Sequence, residues 1–279
     1  MTNEAWRNYC NIVTNLMGEY VSEFVTPISI SPEAGMGKAW ATGNYVYANE
    51  KSYLLTNKHV FSDCPSGAKL AHLPFNVNEE EDYYSLEGTP TLIKWPIDAG
   101  LIELTYPDIP TTRLIKTSLI DTVFNPIEDE LLFWAGHPGY KAQRNEPLSE
   151  GKLRMTRFLP KLDTKLKPFL SQLIKSNLEV IKDFDINKHV AIHYPAMANK
   201  DASTDLVHCA NPKGMSGSLL WDTKFLAQLV QGKEWSPDCA RVCGLIWGAH
   251  EHPYEIVVAT KIEYVLDALP MLKAREILI

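Results

Sequence analysis

The 279-residue chain has no apolar run near the roughly 18 residues that a bilayer-spanning helix needs, so no membrane span is expected. Basic residues are not in surplus. With 27 Lys and Arg against 34 Asp and Glu the net charge is −7, which argues against a general nucleic-acid binder carrying a basic stripe. Lys161, Lys165, Lys167, Lys175 and Lys182 crowd one stretch, but they read as the solvated face of a helix. The opening MTNEAWRNYC has neither a basic nor an apolar signal region, so no secretory leader is expected. Cysteine is sparse: Cys10, Cys64, Cys209, Cys239 and Cys243 are an odd, scattered set, unlike the framework of a disulfide-stapled secreted domain. Reduced thiols and a cytoplasmic location are the expectation. What remains is ordinary for a globular protein: 45% hydrophobic and 22% charged residues, long enough for one large domain or two small ones. There is no internal repeat and no low-complexity tract.

Residues 4–20 carry Trp6, Tyr9, Val13, Leu16, Met17 and Tyr20 at the spacing of an amphipathic helix, read as an N-terminal appendage over 1–20. From Val21 the pattern turns to short β-type runs split by Gly, Pro and Asn. Runs at 24–30, 39–47, 53–56, 68–73, 92–95 and 99–104 predict a first set of strands within 21–105. Pro107, Pro110 and Pro126 mark a connection over 106–128. A second set is expected at 130–135, 152–158, 206–210, 218–221, 242–247 and 255–259, within 129–279, with an extra strand at 189–194. About six short strands in each half suit a closed antiparallel barrel, so the fold class is all-β with two barrels. Leu162, Leu166, Phe169, Leu170, Leu173, Ile174, Leu178 and Ile181 recur at helical spacing, which predicts a helical insertion in the second barrel at about 160–186. Pro168 is expected in its first turn. Ile262, Val265, Leu266 and Leu269 predict a C-terminal helix stopped near Pro270.

Three strings stand out. TNKHV sets His59 just after an apolar run, IDAGLIEL sets Asp98 at the head of another, and GMSGS spans Gly214 to Ser218. Serine is a poor nucleophile until a base lies within hydrogen-bond reach. Histidine suits that role because its ordinary pKa is near neutrality. A buried carboxylate can fix the imidazole tautomer. The strings therefore nominate His59 as base, Asp98 as its orienting carboxylate and Ser216 as nucleophile.

WATGNYVYANE and YLLTNKHVF, with Gly43, Thr56, His59 and Val60, resemble the region around the catalytic histidine of trypsin- and chymotrypsin-like serine peptidases. IDAGLIEL resembles that family's Asp-bearing strand start, although a larger residue than Ala99 more often follows the Asp. GMSGS resembles its nucleophile loop, with Ser218 where a second Gly is common. FWAGHPG at 133–139 and VCGLIWGAH at 242–250 are similar to the first strand of the family's second barrel and to its substrate-pairing strand. The resemblance covers roughly 24–105 and 130–270, discontinuously. It implies a chymotrypsin-like double antiparallel β-barrel and a serine endopeptidase needing no cofactor or metal. Gly214 and Ser216 would supply the oxyanion N–H groups, and Ala210, Trp247 and Gly248 would line the substrate pocket. Ala210 carries no charge, which leans toward an uncharged residue on the acyl side of the cut; Glu251 or Glu255 would be needed for an acidic wall. No Ile-Val-Gly-Gly segment is present, so the form is closer to bacterial Deg-type proteases than to zymogen-activated trypsins.

Other readings stand beside this one. Asp63, Asp82 and Asp108 compete with Asp98 as the carboxylate. An α/β-hydrolase would need the chain order Ser, Asp, His with intervening strands and helices, and Ser216, Asp238 and His250 are too crowded for that. Cys239, Cys243, His250 and His252 have no usual zinc spacing and read as a rim loop. Functionally, the alternatives are a trypsin-fold binding module with a silent site, or a peptidase effector of a multi-component system such as antiviral defence. In the latter, the N-terminal helix or the helical insertion would dock a regulatory protein.

Overall fold

The computed structural model describes residues 2–33, 36–72, 84–105, 114–137, 167–175, 178, 181–194, 197–199, 206–208, 214–250 and 256–273. The chain opens with helix α1 (Asn3–Ser22), whose N-cap Thr2 hydroxyl accepts the Ala5 N–H at 3.2 Å. A first sheet follows: β1 (Val25–Glu33), β2 (Met36–Ala48), β3 (Lys51–Thr56), β4 (Lys69–His72), β5 (Tyr84–Ser85), β6 (Thr91–Ile93) and β7 (Ala99–Glu103). A short helix, α2 (Lys58–Ser62), sits between β3 and β4. The strand order is β5-β4-β1-β2-β3-β7-β6, antiparallel throughout, with β8 (Ile115–Lys116) added in parallel to β2. The β2–β3 hairpin turns at Asn49 and Glu50, both left-handed (φ 50° and 64°), the geometry whose twist matches that of the strands.

The second sheet runs β10-β9-β14-β15-β16-β11. Its strands are β9 (Leu132–Gly136), β10 (Lys167–Ser171), β11 (His189–His193), β14 (Leu219–Asp222), β15 (Arg241–His250) and β16 (Ile256–Lys261). A separate pair, β12 (Met197–Asn199) and β13 (Leu206–His208), stands apart. Helix α3 (Phe225–Val230) follows β14, and α4 (Ile262–Ala268) follows β16. The molecule is thus mostly β, two curled antiparallel sheets with few helices, which agrees with a double-barrel plan. No helix among the described residues is long and apolar enough to cross a membrane. Cys10, Cys64, Cys239 and Cys243 carry free thiols.

Two expectations are corrected. Part of the predicted helical insertion is a strand: residues 167–171 pair antiparallel with β9, and the rest of the described segment contains no α-helix. Apolar residues at Phe169, Leu170, Leu173 and Ile174 satisfy a helical repeat, but here they are divided among three clusters: Leu170 joins the largest core, Phe169 and Leu173 a second and Ile174 a third. Phe169 stacks on Trp134 at 4.5 Å and meets Tyr194 at 5.2 Å. Ile174 packs with Ile181, Ala191 and Val258. Pro168 fits because β10 is an edge strand, where a missing N–H is tolerated. The expected strand at 152–158 lies outside the described residues.

Nor is α1 an appendage. Val13, Met17 and Val21 are buried in the largest core cluster, with Val46 and Leu55 of the first sheet and Phe133, Leu219 and Trp221 of the second. Gly18 faces β10, where an added Cβ would make ordinary contact with Pro168 at 3.5 Å. The helix therefore seals both sheets at once.

Candidate active site

His59 lies in the first turn of α2, directly after β3. Asp98 precedes β7 in a left-handed conformation (φ 51°), which short polar side chains tolerate best. The carboxylate holds His59 at two points. Its Oδ2 is 2.6 Å from His59 Nδ1, and its Oδ1 accepts the His59 backbone N–H at 3.0 Å. The Asp98 carbonyl in turn accepts from Lys58 N–H (3.2 Å) and Asn57 Nδ2 (2.9 Å), which ties the start of α2 to the head of β7. Gly100 permits this closeness: a Cβ there would meet the Phe61 ring at 2.8 Å and the Asn57 carbonyl at 3.0 Å. An ionised carboxylate only accepts, so the hydrogen of this bond sits on Nδ1, and in the neutral tautomer that leaves it there Nε2 is the free acceptor. The Asp98 side chain is 9% exposed and the His59 side chain 34%, so the buried carboxylate backs an imidazole whose far edge reaches solvent.

Ser216 sits in a loop whose four consecutive carbonyls, Gly214 to Gly217, all accept hydrogen bonds. Thr42 Oγ1 donates to Gly214 O (3.1 Å), and Ser218 Oγ donates to Met215 O (2.7 Å). Thr42 N–H donates to Ser216 O (2.9 Å), and Asn44 Nδ2 donates to Gly217 O (2.6 Å). Three of these donors come from β2 of the first sheet. Gly217 (φ 91°) has no room for a side chain: a Cβ would collide with the Thr42 carbonyl and the Thr56 hydroxyl. Thr56 is three residues before His59, so the serine loop lies against the strand that delivers the histidine. Among the described residues, neither the Gly214 nor the Ser216 N–H donates a hydrogen bond, and none joins the Ser216 hydroxyl to His59.

The second sheet also grips the Asp98 loop. His189 Nε2 donates to the Pro96 carbonyl at 2.7 Å while its Nδ1 accepts the Asp185 N–H at 3.0 Å. Thr260 Oγ1 donates to the Ile97 carbonyl at 3.0 Å. Burial pushes the His189 imidazole below its usual pKa, partly offset by the Pro96 bond, which suits a neutral ring. Trp95 packs edge-on against Trp247 (4.7 Å, 87°), and His189 touches both rings. Trp247 is thus the middle of an aromatic wall next to the Asp98 loop, and an added Cβ at Gly248 would meet nothing within 4 Å. Ala210, Glu251, Glu255 and His252 lie outside the described residues, as do the competing Asp82 and Asp108. The Asp63 Oδ1 accepts the Ser62 hydroxyl, while the His59 Nδ1 is bonded to Asp98.

Residues that sequence reasoning missed are Thr42, Asn44, Ser218 and His189, together with Trp95. The signal that could have found Thr42 and Asn44 is a polar residue at an inward position of an otherwise apolar strand. Compared with known proteins, the chain matches no family model and no curated protein.

Proposed function

We propose that this protein is a serine endopeptidase of the chymotrypsin-like double β-barrel type, working through an acyl-enzyme. In this reading Ser216 Oγ attacks the scissile carbonyl and passes its proton to His59 Nε2. His59 then gives that proton to the leaving amine, and a water repeats the sequence to release the acid. Asp98 keeps the imidazole in the tautomer that can accept. The N–H groups of Gly214 and Ser216 hold the oxyanion, each such donor lowering the barrier by about 2.7–4 kcal/mol. Trp247 and Gly248 flank the bound peptide, and Ala210 makes the pocket base uncharged. The observation that carries the reading is the two-point grip of Asp98 on His59, beside a serine loop bonded to the same first sheet.

A fluorophosphonate probe tests it. The purified protein should be labelled, and Ser216→Ala should abolish the label. Mapping new protein N-termini in cells expressing wild type against Ser216→Ala would then give the substrates. A silent binding module is the second reading, favoured by the missing hydrogen bond between Ser216 and His59. Catalytic bonds are often loose before substrate arrives, so that gap does not exclude the first reading. Failure to label under any condition would favour the module.

A further inference from the structure

Resting on that reading, we propose that the hydroxyls of Thr42 and Ser218 are positioning groups that hold the Ser216 N–H of the oxyanion cradle preformed, so that this donor needs neither chain cleavage nor a partner to become competent. In a trans peptide the N–H of one residue points opposite to the carbonyl of the residue before it. Ser216 N–H is therefore aimed by the Met215 carbonyl. That carbonyl is held twice by Ser218, through its hydroxyl at 2.7 Å and its N–H at 3.1 Å. Ser218 is fully buried, and its hydroxyl occupies the space next to Gly136 that a side chain there would take. The serine that departs from the common Gly of this motif thus has an assigned partner.

Gly214 is the weak point of such a loop. At φ 93° it has a glycine's freedom to swing, and its carbonyl, which lies in the Gly214–Met215 peptide plane, must be anchored for the Met215–Ser216 plane that follows to keep one direction. Thr42 supplies the anchor. Its hydroxyl donates to Gly214 O at 3.1 Å and accepts the His137 N–H at 3.0 Å, joining β2, the serine loop and the end of β9 at one oxygen. Its N–H holds Ser216 O at the same time. No titratable group takes part in these bonds.

The test measures fluorophosphonate labelling of purified full-length protein, separating the limiting rate from half-saturation. In that reaction the Ser216 Oγ–P bond forms, the P–F bond breaks, fluoride leaves and the serine proton passes to His59, while the phosphoryl oxygen sits where the oxyanion would. Wild type should label without any activator. Ser218→Ala should lower the limiting rate about tenfold, and Thr42→Val by about ten- to hundredfold, with half-saturation within about twofold; losing a donor outright costs about 10²–10³. Thr42→Ser, which keeps the hydroxyl, should restore the rate. Folded variants that label at the wild-type rate would overturn the proposal. If Thr42→Val fails to fold, Ser218→Ala decides alone. Wild type that labels only after proteolysis or addition of cell extract would sink the preformed cradle while leaving the peptidase reading intact; wild type that never labels would sink both.

Discussion

Substituting Asp98 by Asn changes one atom and should nearly silence the site. The backbone explains why the effect is directional. Asp98 Oδ1 accepts the His59 N–H at 3.0 Å, a donor that cannot be moved without unwinding α2. An Asn side chain must keep its oxygen there, so its NH₂ is turned toward His59 Nδ1, now 2.6 Å from a carboxylate oxygen. Two donors cannot face each other, so the imidazole takes the other tautomer. Nε2 then carries the hydrogen and can no longer accept a proton from Ser216. Loss of the orienting carboxylate in a triad of this kind costs about 10⁴ in rate, roughly 5.5 kcal/mol of barrier. The fold should tolerate the change, because Asn accepts a left-handed φ as readily as Asp does. Labelling rate and thermal melting, measured on the same preparation, separate the two effects. An Asp98→Asn protein that melts like wild type and labels within tenfold of it would refute the assigned role of Asp98.

Acid stability gives an independent check on the first sheet. His72 is buried beside the Tyr45 hydroxyl, 2.7 Å away, and burial pushes its pKa from 6.5 to about 4. Acidification therefore protonates the unfolded chain first. The stability His72 contributes is complete above pH 6.5 and is lost as pH falls toward 4, about 2–3 kcal/mol between pH 7 and 4.5. Denaturant titrations at the two pH values should show that loss, and His72→Gln should reduce it. Gly217→Ala should cost at least about 2 kcal/mol and end labelling, since the new methyl meets the Thr42 carbonyl at a φ that L residues avoid. A well-folded, reactive Gly217→Ala would show that the serine loop is not packed as described.

Much of this layout is legible in the chain because it is local. The runs that become β2, β3, β7, β9, β15 and β16 are short, apolar and bounded by turn formers, and the three strings around His59, Asp98 and Ser216 each lie within a few residues. What was not legible spans long separations. Thr42 and Asn44 look like unremarkable strand residues until Gly214 and Gly217, 172 and 173 positions later, arrive beside them. His189 reads as one residue of an apolar strand, yet its ring bonds to Pro96, 93 positions earlier. The segment at about 160–186 misleads for another reason. Leu170 and Ile174 are four apart, so a helical repeat fits, but the spacing cannot tell one helix face from a strand and loop that serve different clusters. Phe169 finds Trp134, while Ile174 finds Ala191 and Val258.

The same limit applies to α1, and it bears on regulation. The stripe through Val13, Met17 and Val21 shows that the helix buries a face without saying against what. Here the face is buried between both sheets, with Trp221 and Phe24 nearby and Tyr20 against both of those rings. Each buried aliphatic side chain is worth about 1.5–3 kcal/mol, so three of them contribute about 5–9. That is comparable to the whole stability of an ordinary domain, about 5–15 kcal/mol. Deleting residues 1–22 should therefore unfold the protein rather than release a restrained enzyme. Circular dichroism and labelling of the truncated chain read the two outcomes separately. A truncated protein that stays folded and reacts faster than the full chain would make α1 a regulatory arm after all.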